Sequence, residues 1–338
     1  MVTRRPDAIV AELPPAALRA EVDALPASQH LVAGGQFRVY CARASQIPSV
    51  LREIGRLREL TFRAVGEGTG RCVDLDQFDA HYLHLFVWDA RAPAIVGAYR
   101  LGLVDKILGR YGRRGLYTHS LFRYRARMLD RLKPGMELGR SFVRPEYQRG
   151  FAPLLLLWRG LGRFVGRMPQ YAVLLGAVSI SSRYAAASRR LMVAYLSTHN
   201  AEPFLAAEVT PRHPYRDDTR LPEDQPKVED LRNIEDLSRR VAGIEDDHKG
   251  VPVLLRQYLR LGGRLLGFNV DRNFGDALDG LLLVDLRKTE PALLARYMGE
   301  AGSAAFRAYH AGSYFPGPRV RMPDSSAGRA TDCYTVQL

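Results

Sequence analysis

Apolar positions recur along this chain at two periods, one helical and one extended. From Pro48 onward, Leu51, Ile54, Leu57 and Leu60 return at three-residue steps, which predicts a helix opened by that proline. Phe37–Ala42 alternates and predicts a first strand. Leu83–Trp88 and Ile95–Leu103 are nearly continuous apolar runs on either side of Asp89-Ala-Arg-Ala-Pro93, the pattern of a hairpin. Residues 105–135 predict irregular basic structure with one short helix over Tyr124–Leu132. A strand over 136–143, a basic turn punctuated by Pro145 and Gly150, and a helix over 153–167 follow. Pro153 suits the first turn of that helix, where its missing N–H costs nothing. Further on, the pattern predicts a very apolar strand at 172–180, helices at 184–198 and 252–261, strands at 264–270 and 281–286, and a helix at 291–298.

That order is an α/β fold on a mixed sheet, not a doubly wound one. The expected organisation is a flexible lead-in over 1–35, one domain over 36–300, and a C-terminal extension over 301–338 with a mobile Pro/Gly/Ser-rich tail. Residues 203–249, rich in Pro, Asp and Glu, are expected to be an excursion of the domain that carries a short helix near 228–240.

Charge changes the picture. The formal net charge is +13, and residues 106–167 hold fifteen Lys and Arg against three Asp and Glu. A basic face therefore surrounds the strand–turn–helix at 136–167 and favours an acidic partner. The excursion is acidic, with eight basic residues against twelve acidic ones. Three widely spaced cysteines suit a reducing compartment, and the N-terminus has no apolar targeting segment, so a cytoplasmic protein is expected. No histidine has partners at metal-ligand spacing, so no metal is expected. His84 and Asp89 are five residues apart on a predicted strand, so they fall on opposite faces and form no dyad.

The organising stretch is Met136–Pro153, an apolar strand that carries Glu137 and Arg140 into a basic turn and a helix start, where backbone N–H groups favour an anion. Three apart on a regular strand, those two side chains are expected on opposite faces. The sheet order with this element at its centre resembles the GNAT N-acyltransferase fold, with splayed central strands. Arg58-x3-Phe62, Asp76-x2-Asp79, Val96-Gly97-x2-Arg100-Leu101 and Glu137-Leu138-x-Arg140 resemble the ordered signature of acyl-homoserine lactone synthases. Ornithine N-acyltransferases, the "hemolysin-like" enzymes of ornithine-lipid synthesis, share that signature. Glu137-Leu-Gly-Arg-Ser-x-Val143, Trp158-x-Gly160 and Val253-Leu-Leu-x-x-Tyr258-Leu-x-Leu-Gly-Gly263 are similar to the ornithine-lipid enzymes in particular.

The resemblance implies transfer of a long, 3-hydroxylated fatty acyl group from acyl carrier protein to the α-amine of an amino acid, ornithine first, with no bound cofactor. Glu137 is the implied base and Arg140 the cation near the carbonyl oxygen. Donor contacts are expected from Ser141, Phe142, Val143, Arg144, Arg149 and Gly150, and the acceptor cleft from Arg58, Phe62, Asp76, Asp79 and Arg100, at least two of these four charges tying the loop to the sheet. The pyrophosphate-loop pattern Gln/Arg-x-x-Gly-x-Gly/Ala has Tyr147 in its first position here, which fits a carrier-protein donor better than coenzyme A. No Trp stands between Phe62 and Asp74, which weighs against a lactone synthase. The stripes Arg159, Arg163, Arg167 and Arg256, Arg260, Arg264 suit peripheral contact with an anionic membrane. A non-catalytic basic membrane-binding protein is the reading from another class. Nucleic acid is not expected, because aromatic stacking platforms are not interleaved through the basic run.

Overall fold

The computed structural model describes residues 6–148, 152–216, 228 and 231–312. Ten strands are β1 (His30–Gly34), β2 (Phe37–Arg43), β3 (Leu83–Asp89), β4 (Ala94–Leu103), β5 (Phe122–Tyr124), β6 (Gly135–Val143), β7 (Val173–Ile180), β8 (Val209–Pro211), β9 (Arg264–Asp271) and β10 (Ala277–Asp285). The helices are α1 (Pro15–Asp23), α2 (Pro48–Ala64), α3 (Val104–Tyr111), α4 (Ala126–Arg131), α5 (Ala152–Arg167), α6 (Ala186–His199), α7 (Pro203–Ala206), α8 (Ile234–Ile244), α9 (Val253–Arg260), α10 (Pro291–Met298) and α11 (Glu300–His310). Eight strands form one mixed sheet in the order β1-β2-β3-β4-β6-β7-β10-β9, and β5 pairs with β8 beside it.

The expected mixed α/β sheet is therefore present. One face packs on α5, whose Leu157, Leu161, Phe164 and Val165 meet Val39, Leu85, Val87 and Leu138 in the largest core. The opposite face is covered in two halves. Ile47, Ile54 and Leu57 of the α2 region cover β2–β4, and Val104, Ile107, Phe122 and Met128 cover the β7–β10 side. The site lies between these halves.

Several expectations change. Residues 6–35 are not a loose lead-in: β1 is the edge strand paired with β2, and Leu18 and Val22 of α1 are buried against α2. The stretch 105–135 holds helix α3 and strand β5 as well as the expected short helix. Their charged and small residues hid Val104, Ile107 and Phe122, which are buried. The helix of the acidic excursion runs later than expected, over Ile234–Ile244, with Leu237 and Val241 in the main core, and β8 pairs with β5. Helix α11 carries the fold past residue 300, with Phe306 buried in the same core. The tail expected beyond Pro316 lies outside the described residues.

Strands β6 and β7 run parallel but pair only from Gly135–Leu138 to Val173–Gly176. Beyond that point β6 stays with β4 as far as Val143, and β7 stays with β10 as far as Ile180. The sheet thus opens between Gly139 and Ala177, the splay expected of the central strands.

Candidate active site

A bulge shapes β6 at the opening. Ala98 pairs with Phe142 and Arg100 with Gly139, so Arg140 and Ser141 together stand opposite Tyr99. Arg140 takes the extra position with φ at 51°, a left-handed conformation that a non-glycine side chain adopts only under outside constraint. The added residue shifts the side-chain alternation by one. Glu137 and Arg140 therefore do not face opposite ways as a regular strand would require; both reach the Tyr117 segment on one face.

The constraint on Arg140 is visible. Its Nε pairs with Asp74 at 3.0 Å, and one terminal nitrogen donates to the Tyr117 hydroxyl at 2.9 Å. Its guanidinium stacks between the Tyr117 and Phe274 rings, 4.7 Å from each centroid. Burial opposes the charge, but Asp74 and Tyr117 outweigh it and hold the guanidinium well above its ordinary pKa.

Glu137 is buried beside it with both oxygens engaged. It accepts from the Tyr82 hydroxyl, from the Tyr117 N–H at 3.1 Å and from the Thr118 N–H at 2.5 Å. It pins the segment that holds Arg140.

Arg58, Asp76, Asp79 and Arg100 form one buried network. Arg58 meets Asp79 at 2.8 Å; Arg100 meets Asp76 at 2.7 Å and Asp79 at 3.3 Å. Arg100 lies among the rings of Phe78, Tyr82 and Tyr117. These charges tie α2 and the loop before β3 to β4, which puts structural tying first for all four. His84 turns to the Asp79 carbonyl at 2.9 Å while Asp89 accepts from Gln36, so those two are apart.

At the opening a pocket of about 60 Å³ runs between the faces of the sheet. Tyr99, Leu138, Leu254 and Tyr258 line it toward α9; Tyr117, Arg140, Ser179 and Asp279 line it toward the other face. Of the residues expected from sequence, Phe62, Arg140 and Ser141 line it. Phe142 is buried in the α2 core, Val143 packs at the main core, and Arg144 pairs with Glu146 at 3.1 Å. Arg149 and Gly150 lie outside the described residues.

Sequence reading missed Asp279, which lines this pocket, and the further acids Asp271 and Glu67. Asp279 lies in β10, ahead of the expected strand start at Leu281, and Asp271 ends β9, within 3.4 Å of the Tyr117 hydroxyl. Glu67 stands between Gly66 and Gly68, both at positive φ, in a loop after α2. Buried Glu59 holds that loop by accepting from the Thr69 N–H at 3.0 Å and the Gly70 N–H at 2.9 Å. Burial pushes the Glu67 carboxyl up to about 7 against the pull of Ser179 and Arg140. Burial, Asp271 and Glu67 push Asp279 well above the carboxylate range. The available signals were an acid between two glycines and an acid inside an apolar strand.

Comparison with known proteins places the chain in a family. A family profile described as "Acetyltransferase (GNAT) domain" matches residues 57–158, from the second half of α2 into the first half of α5. A protein of Bacteroides thetaiotaomicron named glycine N(alpha)-acyltransferase is 32% identical over 268 residues, 73% of this chain and 77% of that one. A protein of Rhodobacter capsulatus named L-ornithine N(alpha)-acyltransferase is 32% identical over 260 residues, 73% of this chain and 90% of that one. Among solved structures, the CoA-dependent acyl-homoserine lactone synthase BjaI, with SAM and isopentyl-CoA, aligns over 79% of this chain and 97% of that chain at 13% identity, with a TM-score of 0.39. The chain is an acyltransferase and belongs to the GNAT-domain N(alpha)-acyltransferase family, whose members include proteins named for glycine and for ornithine.

Proposed function

We propose that this enzyme moves a long fatty acyl group from the phosphopantetheine thioester of acyl carrier protein to the α-amine of an amino acid, ornithine first. The observation that carries this reading is the pocket at the splay of β6 and β7. Past Leu138 and Gly176 the two strands no longer bond each other, so their facing backbone groups are available to the amides of a pantetheine arm. A thioester laid there meets the Tyr99 hydroxyl and Ser141 on one wall and Arg140 on the other. These are donors for the negative charge that builds on the carbonyl oxygen. Asp271, which accepts from the Tyr117 hydroxyl beside Arg140, favours a cationic acceptor. Glycine is the second acceptor to test, since a relative at 32% identity is named for it.

The donor follows from charge. Arg123, Arg125 and Arg127 are exposed on the basic segment and suit steering of an acidic carrier protein. Such steering is screened beyond about 10 Å at 0.1 M salt. kcat/KM with acyl carrier protein should therefore fall steeply with added salt, and reversing the three arginines to Glu should lower it further. Equal rates with acyl-coenzyme A and no salt dependence would defeat the carrier-protein donor. Arg159, Arg163, Arg167 and Arg296 line one groove beside the start of α11, a surface suited to anionic membrane contact. No helix of the described residues is long and apolar enough to cross a membrane.

The test of the whole reading is mass spectrometry of products made from acyl carrier protein thioesters with ornithine, with glycine and with S-adenosylmethionine. N-acyl ornithine is the expected product. Release of methylthioadenosine would instead make the enzyme a lactone synthase.

A further inference from the structure

The two walls of the pocket leave different hydrogen bonds open. Toward α9 the Tyr99 hydroxyl, on a side chain 1% exposed, lines the pocket without a hydrogen bond of good geometry, with Ser141 and Tyr258 as its polar neighbours. On the opposite wall the strong donors are already committed. Arg140 pairs with Asp74 and donates to the Tyr117 hydroxyl, whose own proton is directed at Asp271, 3.4 Å away. Asp279 lines that wall, 4% exposed, and makes no ion pair among the described residues. The pocket therefore has an open donor on one wall and an open acceptor on the other.

The position of Asp279 in its strand points the same way. Leu283, Leu281 and Asp279 alternate along one face of β10, and both leucines pack in the core that holds Leu175 and Phe122. An apolar residue at 279 would extend that core, whereas a carboxyl there is desolvated without a paired cation. A purely structural role would be a hydrogen bond to Ser179, which stands opposite Asp279 across the β7–β10 pairing and lines the same pocket. One serine proton serves one of about four lone-pair sites on a carboxylate, which leaves the others to the pocket. The pocket thus suits a ligand that donates to Asp279 and accepts from Tyr99. An ammonium group beside a thioester carbonyl does both.

We propose that Asp279 is the carboxylate of the acceptor subsite, which binds the α-ammonium group of the amino acid and takes its proton. The inference rests on the N-acyltransferase reading and adds its acceptor-binding base. An N–H bond of the ammonium breaks and its proton passes to ionised Asp279. The freed nitrogen lone pair forms the C–N bond at the thioester carbonyl carbon. The C–S bond breaks with its electrons on sulfur, and the second nitrogen proton passes to that thiolate. Asp279 then returns its proton to water. Ammonium and thioester become amide, thiol and one released proton. Burial, Asp271 on β9 and Glu67 in the loop after α2 push the Asp279 carboxyl well above the carboxylate range, against Arg140 on β6 and Ser179 on β7; the Tyr117 hydroxyl also faces it. The base must be ionised to act, so the rate is lost as pH falls through that raised value.

The experiment pairs kinetics with titration. kcat of the wild type at saturating acceptor should show an acidic limb with its midpoint well above about 3.9, the ordinary Asp value. Asp279→Asn keeps the shape and removes the charge. It should lower kcat roughly 10²-fold, remove that limb and raise KM for ornithine and glycine alike. A loss confined to ornithine would overturn α-ammonium binding, because glycine carries no other ammonium. A folded Asp279→Asn enzyme, judged by circular dichroism, with kcat within roughly threefold of wild type and its limb intact would overturn the proposal as well. If Asp279→Asn does not fold, the wild type decides. Carboxyl ¹³C NMR of Asp-labelled protein should show one carboxyl titrating well above about 3.9, and its signal should move when ornithine or glycine is added without a donor. Aspartates that all titrate in the ordinary range and ignore the amine overturn the subsite. An enzyme that makes no N-acyl product fails the functional reading by itself, and the response of that carboxyl to the amine still decides the subsite.

Discussion

Asp79→Asn is expected to cost about 3–5 kcal/mol of folding stability, the range for breaking a buried ion pair from one side. Asp79 is the shared anion of two cations: Arg58 lies 2.8 Å away and Arg100 3.3 Å away, and both arginines are fully buried. Two nitrogens of Arg58 and two of Arg100 already lack hydrogen-bond partners, so nothing nearby replaces the lost carboxylate. Against a typical net stability of roughly 5–15 kcal/mol this loss is severe. Asp76→Asn should cost less, because its side chain is 20% exposed and pairs with one arginine, Arg100, rather than two. Adding Arg58→Met to Asp79→Asn should recover part of the loss by removing the uncompensated charge.

The pH dependence of that effect has a definite sign. Burial works to raise the Asp79 carboxyl, but Arg58 and Arg100 outweigh it and hold the group far below the carboxylate range. A folded-state pKa below the unfolded one gives stability that is present above the unfolded pKa, about 3.9 for Asp, and lost as pH falls toward the folded value. Chemical denaturation of wild type and Asp79→Asn should therefore differ by a constant amount from pH 5 to 8. The gap should narrow only below about pH 4. A gap that is already small at pH 7 would show that the network does not hold the loop before β3.

The long periodic elements of this fold were legible in the sequence. α2, the β3–β4 hairpin, β6 with α5, and β7 each bury a stripe or run of apolar residues that needs no partner to be seen. α1 and β1 were hidden because each buries only one or two side chains among Ala, Pro and charge. The site was legible where it depends on local chemistry, as at Phe62, Arg140 and Ser141. It was not legible where it depends on register. The bulge that turns Arg140 toward Glu137's face exists only in the pairing with Tyr99 of β4. Ser179 and Asp279 face each other across two strands that meet only once the sheet is formed. An acid in a loop or at a strand end is ordinary in sequence, and becomes informative through burial beside another.

Glu137→Gln should separate positioning from proton transfer. The substitution keeps the shape but turns one acceptor into an amide NH₂. The Tyr82 hydroxyl and the Tyr117 and Thr118 N–H groups then compete for a single oxygen. Hydrogen bonds to a buried charge are worth about 1.5–3 kcal/mol each, so stability should fall by at least that amount. The loss reaches the chemistry through Tyr117, whose hydroxyl accepts from Arg140 and whose ring stacks on it. A shift of about 1 Å in a positioned group can cost on the order of 10²-fold in rate, and a fall in kcat of that order is expected. What distinguishes a positioning residue from the base is the pH profile. If Glu137 only positions Arg140, the acidic limb of kcat should survive in Glu137→Gln with its midpoint unmoved. If the limb instead vanishes in Glu137→Gln, then Glu137 takes the proton.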